Sequence, residues 1–433
     1  MLNDVRLFFR GEFNRNVLTL MTGTGLAQLI PIAATPLLSR IYSPEQYGLY
    51  GLFVALVSSM SALATGRYEM AIMLPRKQSD AAAIAALSIG VSLVVSVVLL
   101  GIAGLSNEQI ANGLGNSTIS TWLYVVPLAV LLNGIYMNLN YWSNRNKWYV
   151  LMSQRRVLHS GGTCGAQLGL GLLGAGAGGL VVGSVAGQAL AAAMMAKAVQ
   201  RQGLQHWRGI TRRKLWALAK RYRSCPLLLA PAHTLSALSI QLPALFFGAA
   251  FGLAGAGLFV LVEKAVGTPL SLVSAAVGDV FRQQISQCYI AGEHCRREFL
   301  STFRKLLAIA TPPFLLLLFF APPLFALVFG EKWRSSGEYA QLMAPMFYLR
   351  FICNPLSQVA IIAQRNRFEF FWQSGLLMCL LLCAASYYVF PLDIRAYIMV
   401  FVCVYGVFDL VILLAAYLFA CAGDARGPAR RRR

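Results

Sequence analysis

Four charged side chains lie within stretches of the sequence that are otherwise apolar: Glu263, Lys264, Arg350 and Asp409. A charge in an apolar environment costs free energy, so it is expected to pair with an opposite charge or to bind a charged ligand. A guanidinium binds a phosphate through two hydrogen bonds, and a lysine adds a compact charge beside it. Lys264 and Arg350 therefore predict a cationic site for an anionic ligand. An ion pair with Glu263 or Asp409 is the competing interpretation.

The two carboxylates of this set allow two interpretations of their own. Glu263 or Asp409 could bind a coupling proton or Na⁺, because ionisable groups inside a membrane often mark ion pathways. Either could instead neutralise a neighbouring cation. The sequence leaves both alternatives open.

Polar residues recur at helical spacing around these charges. Thr268 and Ser271 follow Lys264 at i+4 and i+7, and Asn354 follows Arg350 at i+4, so each set lies on one face of a helix. Further candidates for the lining of a polar cavity are Gln28, Asn133, Asn140 and His233. Neutral polar side chains also hold neighbouring helices together, and this structural role is the alternative for each of them.

Arg67, Tyr68 and Glu69 follow directly on an apolar segment. One interpretation is an arginine at the membrane surface whose aliphatic part lies in the apolar layer, next to an aromatic anchor. The other is a gate, or the first contact for a phosphate-bearing headgroup.

Motifs for covalent catalysis or nucleotide hydrolysis are not found. The sequence contains no P-loop, HExxH, GxSxG or paired-carboxylate motif, so we expect no enzyme and no cofactor. The nine cysteines lie in apolar segments or in expected cytoplasmic loops, where neither disulfides nor metal sites are expected. Cys288, His294 and Cys295 are interpreted as an ordinary loop rather than metal ligands.

The elements that carry these residues are expected to be membrane-spanning helices. The chain has 433 residues, of which 58% are hydrophobic and 12% charged, whereas soluble proteins contain about a quarter charged residues. Apolar segments long enough to cross a bilayer recur throughout. The predicted spans are 17–39, 46–66, 81–105, 120–141, 150–173, 177–198, 225–247, 253–278, 304–328, 339–363, 370–390 and 395–421. The predicted fold class is an all-α polytopic membrane protein with about twelve transmembrane helices.

The basic residues indicate the orientation of these helices. With the N-terminus in the cytoplasm, 31 of the 37 lysines and arginines lie on the inner side, as the positive-inside rule requires. The net charge of +21 therefore reflects topology and requires no nucleic-acid partner. Both termini are expected in the cytoplasm.

The spans divide into two lobes of six helices. We expect an N-terminal lobe at 1–198, a basic amphipathic linker at 199–224, and a C-terminal lobe at 225–433 that ends in a polybasic tail. Trp207 and Trp216 should place the linker at the headgroup level, and both the linker and the tail should contact anionic lipids. Two lobes in the same orientation are typical of transporters that bind substrate between their halves.

Three stretches carry a resemblance to a known family. They are TPLLSRIYSPEQYGLYGLFVAL followed by GRYEMAIMLP (35–75), PLSLVSAAVGDVF (269–281) and FGEKWRSSGEYAQLMAPMFYLRFICNPLSQ (329–358). They resemble Wzx-type oligosaccharide flippases, the polysaccharide transporters of the multidrug/oligosaccharidyl-lipid/polysaccharide (MOP) superfamily. This resemblance implies the MOP flippase fold of two six-helix lobes around a cavity that is often cationic. Arg67 and Lys264 lie on the helices that match those lining this cavity, whereas Arg350 lies on another helix.

The resemblance also implies a function. Such proteins move undecaprenyl-pyrophosphate-linked oligosaccharides across the bacterial inner membrane by alternating access, for O-antigen, capsule or exopolysaccharide assembly. A polysaccharide polymerase and a chain-length regulator are expected partners. Two alternatives stay open: a drug or metabolite exporter of the same superfamily, which would favour an acidic cavity, and a membrane-embedded polymerase or ligase, which would need a large outer loop.

Overall fold

The computed structural model describes residues 12–203, 207, 209–291, 295–363 and 366–424, and nearly all of them are helical. No strand occurs in these ranges, so the predicted all-α class is confirmed. The expected polybasic tail, His294 and parts of the basic linker lie outside the described residues.

The chain divides into two compact units, Met1–Ala256 and Gly257–Arg433. The first unit contains α1 (Glu12–Ile41), α2 (Pro44–Ala64), α3 (Tyr68–Ala71), α4 (Gln78–Gly113), α5 (Ser120–Leu123), α6 (Val126–Arg145), α7 (Tyr149–Leu172), α8 (Gly176–Gly203), α9 (Arg212–Arg221) and most of α10 (Ala230–Val262). The second contains α11 (Thr268–Ala291), α12 (Cys295–Phe329), α13 (Arg334–Leu356), α14 (Gln358–Ile362), α15 (Asn366–Ser386) and α16 (Ile394–Asp424). The expected division into 1–198, 199–224 and 225–433 stays a prediction.

Each of the twelve predicted apolar segments lies on helical structure. Within the described ranges, six helical segments are long and apolar enough to cross a membrane, and a bent pair of helices, Ser117–Leu123 with Val126–Arg145, raises the number to seven. The protein is therefore a multi-pass membrane protein. The exact count of twelve spans stays a prediction.

Helix α2 begins at a capping motif, Ser43 to Gln46, that is typical of a helix N-terminus. Ser43 adopts an extended conformation, and its hydroxyl accepts a hydrogen bond from the Gln46 backbone N–H at 3.4 Å. The Gln46 side chain accepts one from the Ser43 N–H at 3.0 Å, which completes a capping box. Pro44 occupies the first turn, where its missing N–H costs nothing. This hairpin gives α1 and α2 a sharp, well-defined junction.

Helices α7 and α8 pack closely because α8 carries glycines at four-residue intervals. A Cβ on Gly183 would lie 2.8 Å from the Gln167 backbone nitrogen, and one on Gly187 would lie 2.8 Å from the Thr163 backbone nitrogen. Only glycine allows this approach of two backbones, and such small-xxx-small spacing is typical of closely packed membrane helices.

Two irregularities mark the chain around the boundary between the units. The predicted seventh and eighth spans are not separated by a loop: α10 continues through a kink at Gly252, whose φ of 74° suits glycine. The chain then widens into one π-helical turn, Glu263–Gly267, before α11 begins. Such turns are rare and occur frequently at functional sites.

Candidate functional site

Arg350 lies in the interior of α13, roughly 24 Å along the axis from the first residue of that helix. Its Nη1 lies 4.0 Å from Glu263 Oε1. Its guanidinium carbon lies 4.6 Å from the centre of the Tyr405 ring, a cation–π distance. Nη2 is directed at Met346 Sδ at 3.8 Å. The guanidinium is thus held by one carboxylate and one aromatic face, yet 27% of the side chain is exposed.

Asp409 is the second carboxylate near this guanidinium. It follows Tyr405 by one turn of α16, its side chain is buried, and its charge acts on Arg350. Among the described residues, its Oδ2 atom has no hydrogen-bond partner. The Cys353 thiol donates to the Asp409 backbone carbonyl at 3.3 Å, which joins α13 to α16 at this level. This contact places Asp409 on the α16 segment that faces the part of α13 that carries Arg350.

Glu263 and Lys264 occupy the π-helical turn of the second unit, and both are half-buried. A Cβ on Gly267 would lie 2.7 Å from Glu263 Oε2, so an added methyl group would push the carboxylate out of its present position. The turn thus places Glu263 toward Arg350 on α13. Lys264 lies next to it in the chain.

The second unit therefore brings together three of the four charges that stand out in the sequence, Glu263, Arg350 and Asp409, and Lys264 follows Glu263 directly in the chain. Glu263 and Asp409 both act on Arg350, which is the pairing that the sequence left open as an alternative. With every group ionised, two positive and two negative charges cancel. A surplus of positive charge arises at this cluster only when a carboxylate is protonated.

Arg67 forms a second charge pair, in the first unit. It has a left-handed backbone conformation, with φ of 57°, between α2 and α3. Its Nη1 donates to Glu69 Oε1 at 3.3 Å, and the glutamate side chain is only 2% exposed. Arg67 Nε and Glu69 Oε2 are buried without a hydrogen-bond partner in the described ranges. A buried pair with unused polar atoms has room for a further polar partner.

His233 and Tyr141 belong to the surroundings of this pair. The charges of Arg67 and Glu69 act on His233, which lies near the start of α10, and on Tyr141 of α6. The Tyr68 hydroxyl donates to the Ala219 carbonyl of α9 at 3.4 Å. The structure thus brings two of the predicted site residues, Arg67 and His233, into one polar cluster beside the linker helix.

The linker helix α9 packs on the first unit. Lys214 Nζ lies 2.7 Å from Asp80 Oδ1 at the start of α4. Trp207 packs edge-on against Trp142 of α6 at a centroid distance of 5.6 Å, whereas Trp216 is 74% exposed. Only one of the two tryptophans thus projects outward, as expected for lipid contact.

The remaining predicted residues do not gather at one point. Gln28 on α1 is exposed, and Asn133 and Asn140 on α6 are half-buried. Asn140 Oδ1 is a buried acceptor that no described donor reaches. A role for these three residues in ligand binding stays a prediction.

Arg156 is a charged residue inside the predicted span 150–173 that the sequence did not single out as a site residue. It lies seven residues inside α7, and its Nη1 donates to Thr24 Oγ1 of α1 at 2.5 Å. Its charge also acts on Tyr136 of α6, whose ring stacks on His159 at 5.7 Å. The sequence signal that could have identified Arg156 was its position six residues inside the predicted span, where a charged side chain needs a partner.

Comparison with protein families gives one match, to the family described as "Polysaccharide biosynthesis protein", over residues 37–338. This range includes Arg67, His233 and the π-helical turn, and it ends early in α13. No curated protein matches the sequence with significance.

Solved structures share the fold over almost the whole chain. The lipid II flippase MurJ in an inward closed conformation has a TM-score of 0.73 at 11% identity, over 94% of this chain and 90% of that one. An inward-facing multidrug resistance MATE family transporter of the MOP superfamily has a TM-score of 0.66 at 15% identity, over 94% and 96%. A MOP superfamily transporter from Pyrococcus furiosus, described as having a binding pocket of reverse polarity, has a TM-score of 0.58 at 14% identity, over 96% and 98%. The chain therefore has the MOP fold that the resemblance implied.

Proposed function

The chain belongs to the polysaccharide biosynthesis protein family, and from this premise we propose that it is a flippase for undecaprenyl-pyrophosphate-linked oligosaccharides. It would move them across the bacterial inner membrane by alternating access, for O-antigen, capsule or exopolysaccharide assembly. A polymerase and a chain-length regulator would take over the product. Both termini would lie in the cytoplasm, as the distribution of basic residues indicates.

The observation that carries this proposal is the partly exposed guanidinium of Arg350 in the interior of α13. A charge at such a depth is costly and therefore points to function. The proposed substrate brings a pyrophosphate into the membrane, and its negative charge needs a temporary counter-ion there. A planar guanidinium meets this need because it donates two parallel hydrogen bonds to a phosphate.

The carboxylates around Arg350 suggest how binding would be reversed. Glu263 lies 4.0 Å from the guanidinium, so the glutamate and a pyrophosphate compete for the same cation. Protonation of Glu263 or Asp409 would leave Arg350 and Lys264 in charge excess and favour the anion, and loss of the proton would favour its release. This competition gives the two carboxylates the coupling role that their position suggests.

Arg67 is the proposed first contact on the cytoplasmic side. Its Nε atom and Glu69 Oε2 are buried without partners in the described part of the chain, so a ligand can add hydrogen bonds without breaking existing ones. His233 belongs to the same cluster. We propose that this cluster meets the headgroup, and that Gln28, Asn133 and Asn140 contact the sugars.

The second candidate is an exporter of drugs or metabolites. The similar structures include a multidrug resistance transporter of the MATE family, and a neutral or acidic Glu263–Arg350–Asp409 cluster would admit a cation. The family match favours the polysaccharide reading.

The test is transport by the purified full chain in liposomes. A fluorescently labelled undecaprenyl-pyrophosphate oligosaccharide is incorporated, and its transfer between leaflets is followed by quenching from outside, with and without an imposed proton gradient. The proposal predicts transfer above that of protein-free liposomes, unaffected by excess of a cationic dye. No transfer of the lipid, together with accumulation of the dye, would instead identify an exporter.

A further inference from the structure

A basic cleft of about 370 Å³ lies in the first unit, on the paired helices α7 and α8. It is lined by Leu151 and Arg155 from α7 and by Met194, Lys197, Ala198 and Arg201 from α8. Its volume corresponds to about a dozen water molecules at ~30 Å³ each. The cleft therefore has room for a headgroup-sized ligand.

The cleft forms where the close packing of the two helices ends. Gly183 faces Gln167 and Gly187 faces Thr163, so the two backbones are in contact along that stretch. Continuing in the same antiparallel register, the α8 positions opposite Arg155 and Leu151 are Met195 and Val199, which carry larger, buried side chains in place of the glycines. The cleft lies beside this stretch, between residues of α7 and the α8 positions next to Met195 and Val199.

The lining combines three cations with an apolar wall. Lys197 and Arg201 are one helical turn apart on α8 and both are exposed, whereas Arg155 is half-buried opposite them. The Arg155 Nε atom is buried and has no hydrogen-bond partner in the described ranges. None of the ion pairs found among the described residues involves these three cations. The cleft thus holds uncompensated positive charge beside apolar surface.

We infer that this cleft binds the phosphate headgroup of an acidic phospholipid, with the start of an acyl chain against Leu151, Met194 and Ala198. The chemistry matches on both sides: cations and an unused N–H for the phosphate oxygens, and an apolar wall for the chain. Lys197 lies just before the expected linker 199–224 and Arg201 lies in its first residues, both on the last turns of α8, so a bound lipid would anchor the point where the linker leaves the helix pair. The site is separate from the substrate contacts proposed above and does not depend on them.

The test is native mass spectrometry of the purified full chain mixed with phosphatidylglycerol or phosphatidylcholine. The triple variant Arg155→Gln/Lys197→Gln/Arg201→Gln is expected to lose about tenfold or more in phosphatidylglycerol affinity, because charge-assisted hydrogen bonds are the strong ones. Phosphatidylcholine should bind weakly to both proteins. Equal retention of phosphatidylglycerol by the triple variant would overturn the proposal.

A charge-matched control separates a built site from diffuse attraction. Arg76, Lys77 and Lys147 are exposed cations of the first unit outside both the cleft and the linker, and their triple glutamine variant should keep the wild-type affinity. A loss equal to that of the cleft variant would mean diffuse charge and no site. Leu151→Trp fills the cleft without changing charge and should also lower the affinity, while the thermal midpoint of each variant reports folding.

Two competitors identify the source of the phosphate group. Inorganic phosphate at millimolar concentration should not displace phosphatidylglycerol, because it lacks the acyl chain. Displacement by inorganic phosphate would overturn the lipid assignment. Undecaprenyl pyrophosphate that binds the cleft more tightly than phosphatidylglycerol would reassign it to the substrate and likewise overturn the proposal.

Discussion

Arg350 and Glu263 approach each other to 4.0 Å, one from the interior of α13 and the other from the single π-helical turn that precedes α11. The glutamate reaches this position because the turn ends in Gly267, where a Cβ would lie 2.7 Å from the carboxylate. One glycine thus keeps open the space that the carboxylate uses beside the arginine. This relationship leads to predictions for stability and for transport.

Gly267→Ala should lower transport while changing stability little. The added methyl group meets the end of the flexible Glu263 side chain, which can rotate away from Arg350 at small cost. The measurement is the thermal midpoint in detergent alongside the transfer rate in liposomes. Gly165→Ala is the matched control, because a Cβ there meets nothing within 4 Å. If both variants behave alike, Gly267 does not position the carboxylate.

Glu263→Gln should weaken the response of transport to a proton gradient while preserving substrate binding. The glutamate faces Arg350, with Lys264, Asp409 and Tyr405 completing the charged and titratable surroundings. The amide imitates the protonated carboxyl permanently, so the competition for Arg350 ceases at any pH. The measurement is the transfer rate with and without the gradient. A variant that binds the labelled lipid worse than the wild type would contradict the competition model.

Gly187→Ala should destabilise the first unit. Its Cβ would lie 2.8 Å from the Thr163 backbone nitrogen and Cα, and backbone atoms cannot rotate away as a flexible side chain can. The expected loss is about 1–3 kcal/mol. Gly161→Ala on α7 has open space and should leave the thermal midpoint within a degree or two of the wild type, by roughly the ±0.5 kcal/mol of an unconstrained site. An unchanged midpoint for Gly187→Ala would mean that α7 and α8 pack less tightly.

Removing Glu69 alone should lower the stability of the protein more than removing both charges of the Arg67–Glu69 pair. The glutamate is 2% exposed and Arg67 18%, so Glu69→Ala leaves a largely buried guanidinium without its partner, at a cost of about 1–3 kcal/mol. The double variant Arg67→Met/Glu69→Leu removes both charges and should recover part of this loss. A double-mutant cycle built from Arg67→Met, Glu69→Leu and the double variant, read as thermal midpoints, measures the coupling of the two charges. Purely additive effects would show that the two charges do not interact.

Much of the second unit's charge cluster could be predicted from sequence because each member is conspicuous in an apolar context. Glu263, Arg350 and Asp409 are separated by up to 146 positions, but a membrane offers charges few partners except one another. Their pairing was therefore one of two alternatives. The π-helical turn that aims Glu263 could not be predicted, because one extra residue in a helical turn leaves no periodicity signal.

Other features depended on tertiary contacts that no local pattern reveals. Arg156 was not predicted as a site residue, since two adjacent arginines near the edge of the predicted span 150–173 look like ordinary cytoplasmic charge. Only its partner Thr24, 132 positions earlier, reveals its role in joining α7 to α1. Likewise, Trp207 and Trp216 look equivalent in sequence, yet Trp207 packs against Trp142. Helix ends are easier to predict from sequence, because capping residues such as Ser43 and Gln46 lie within a few positions of each other.

The most direct test of the central claim is lipid transfer by Arg350→Ala in liposomes, corrected for the amount of inserted protein. Loss of a charged hydrogen bond worth about 1.5–3 kcal/mol predicts a transfer rate at least about tenfold lower, and Arg350→Lys should retain more because it keeps the charge without the two-point geometry. Arg395→Ala, which removes an exposed partner of Glu338, is the control and should match the wild type. Wild-type transfer by Arg350→Ala would contradict the claim that Arg350 is the counter-ion of the pyrophosphate.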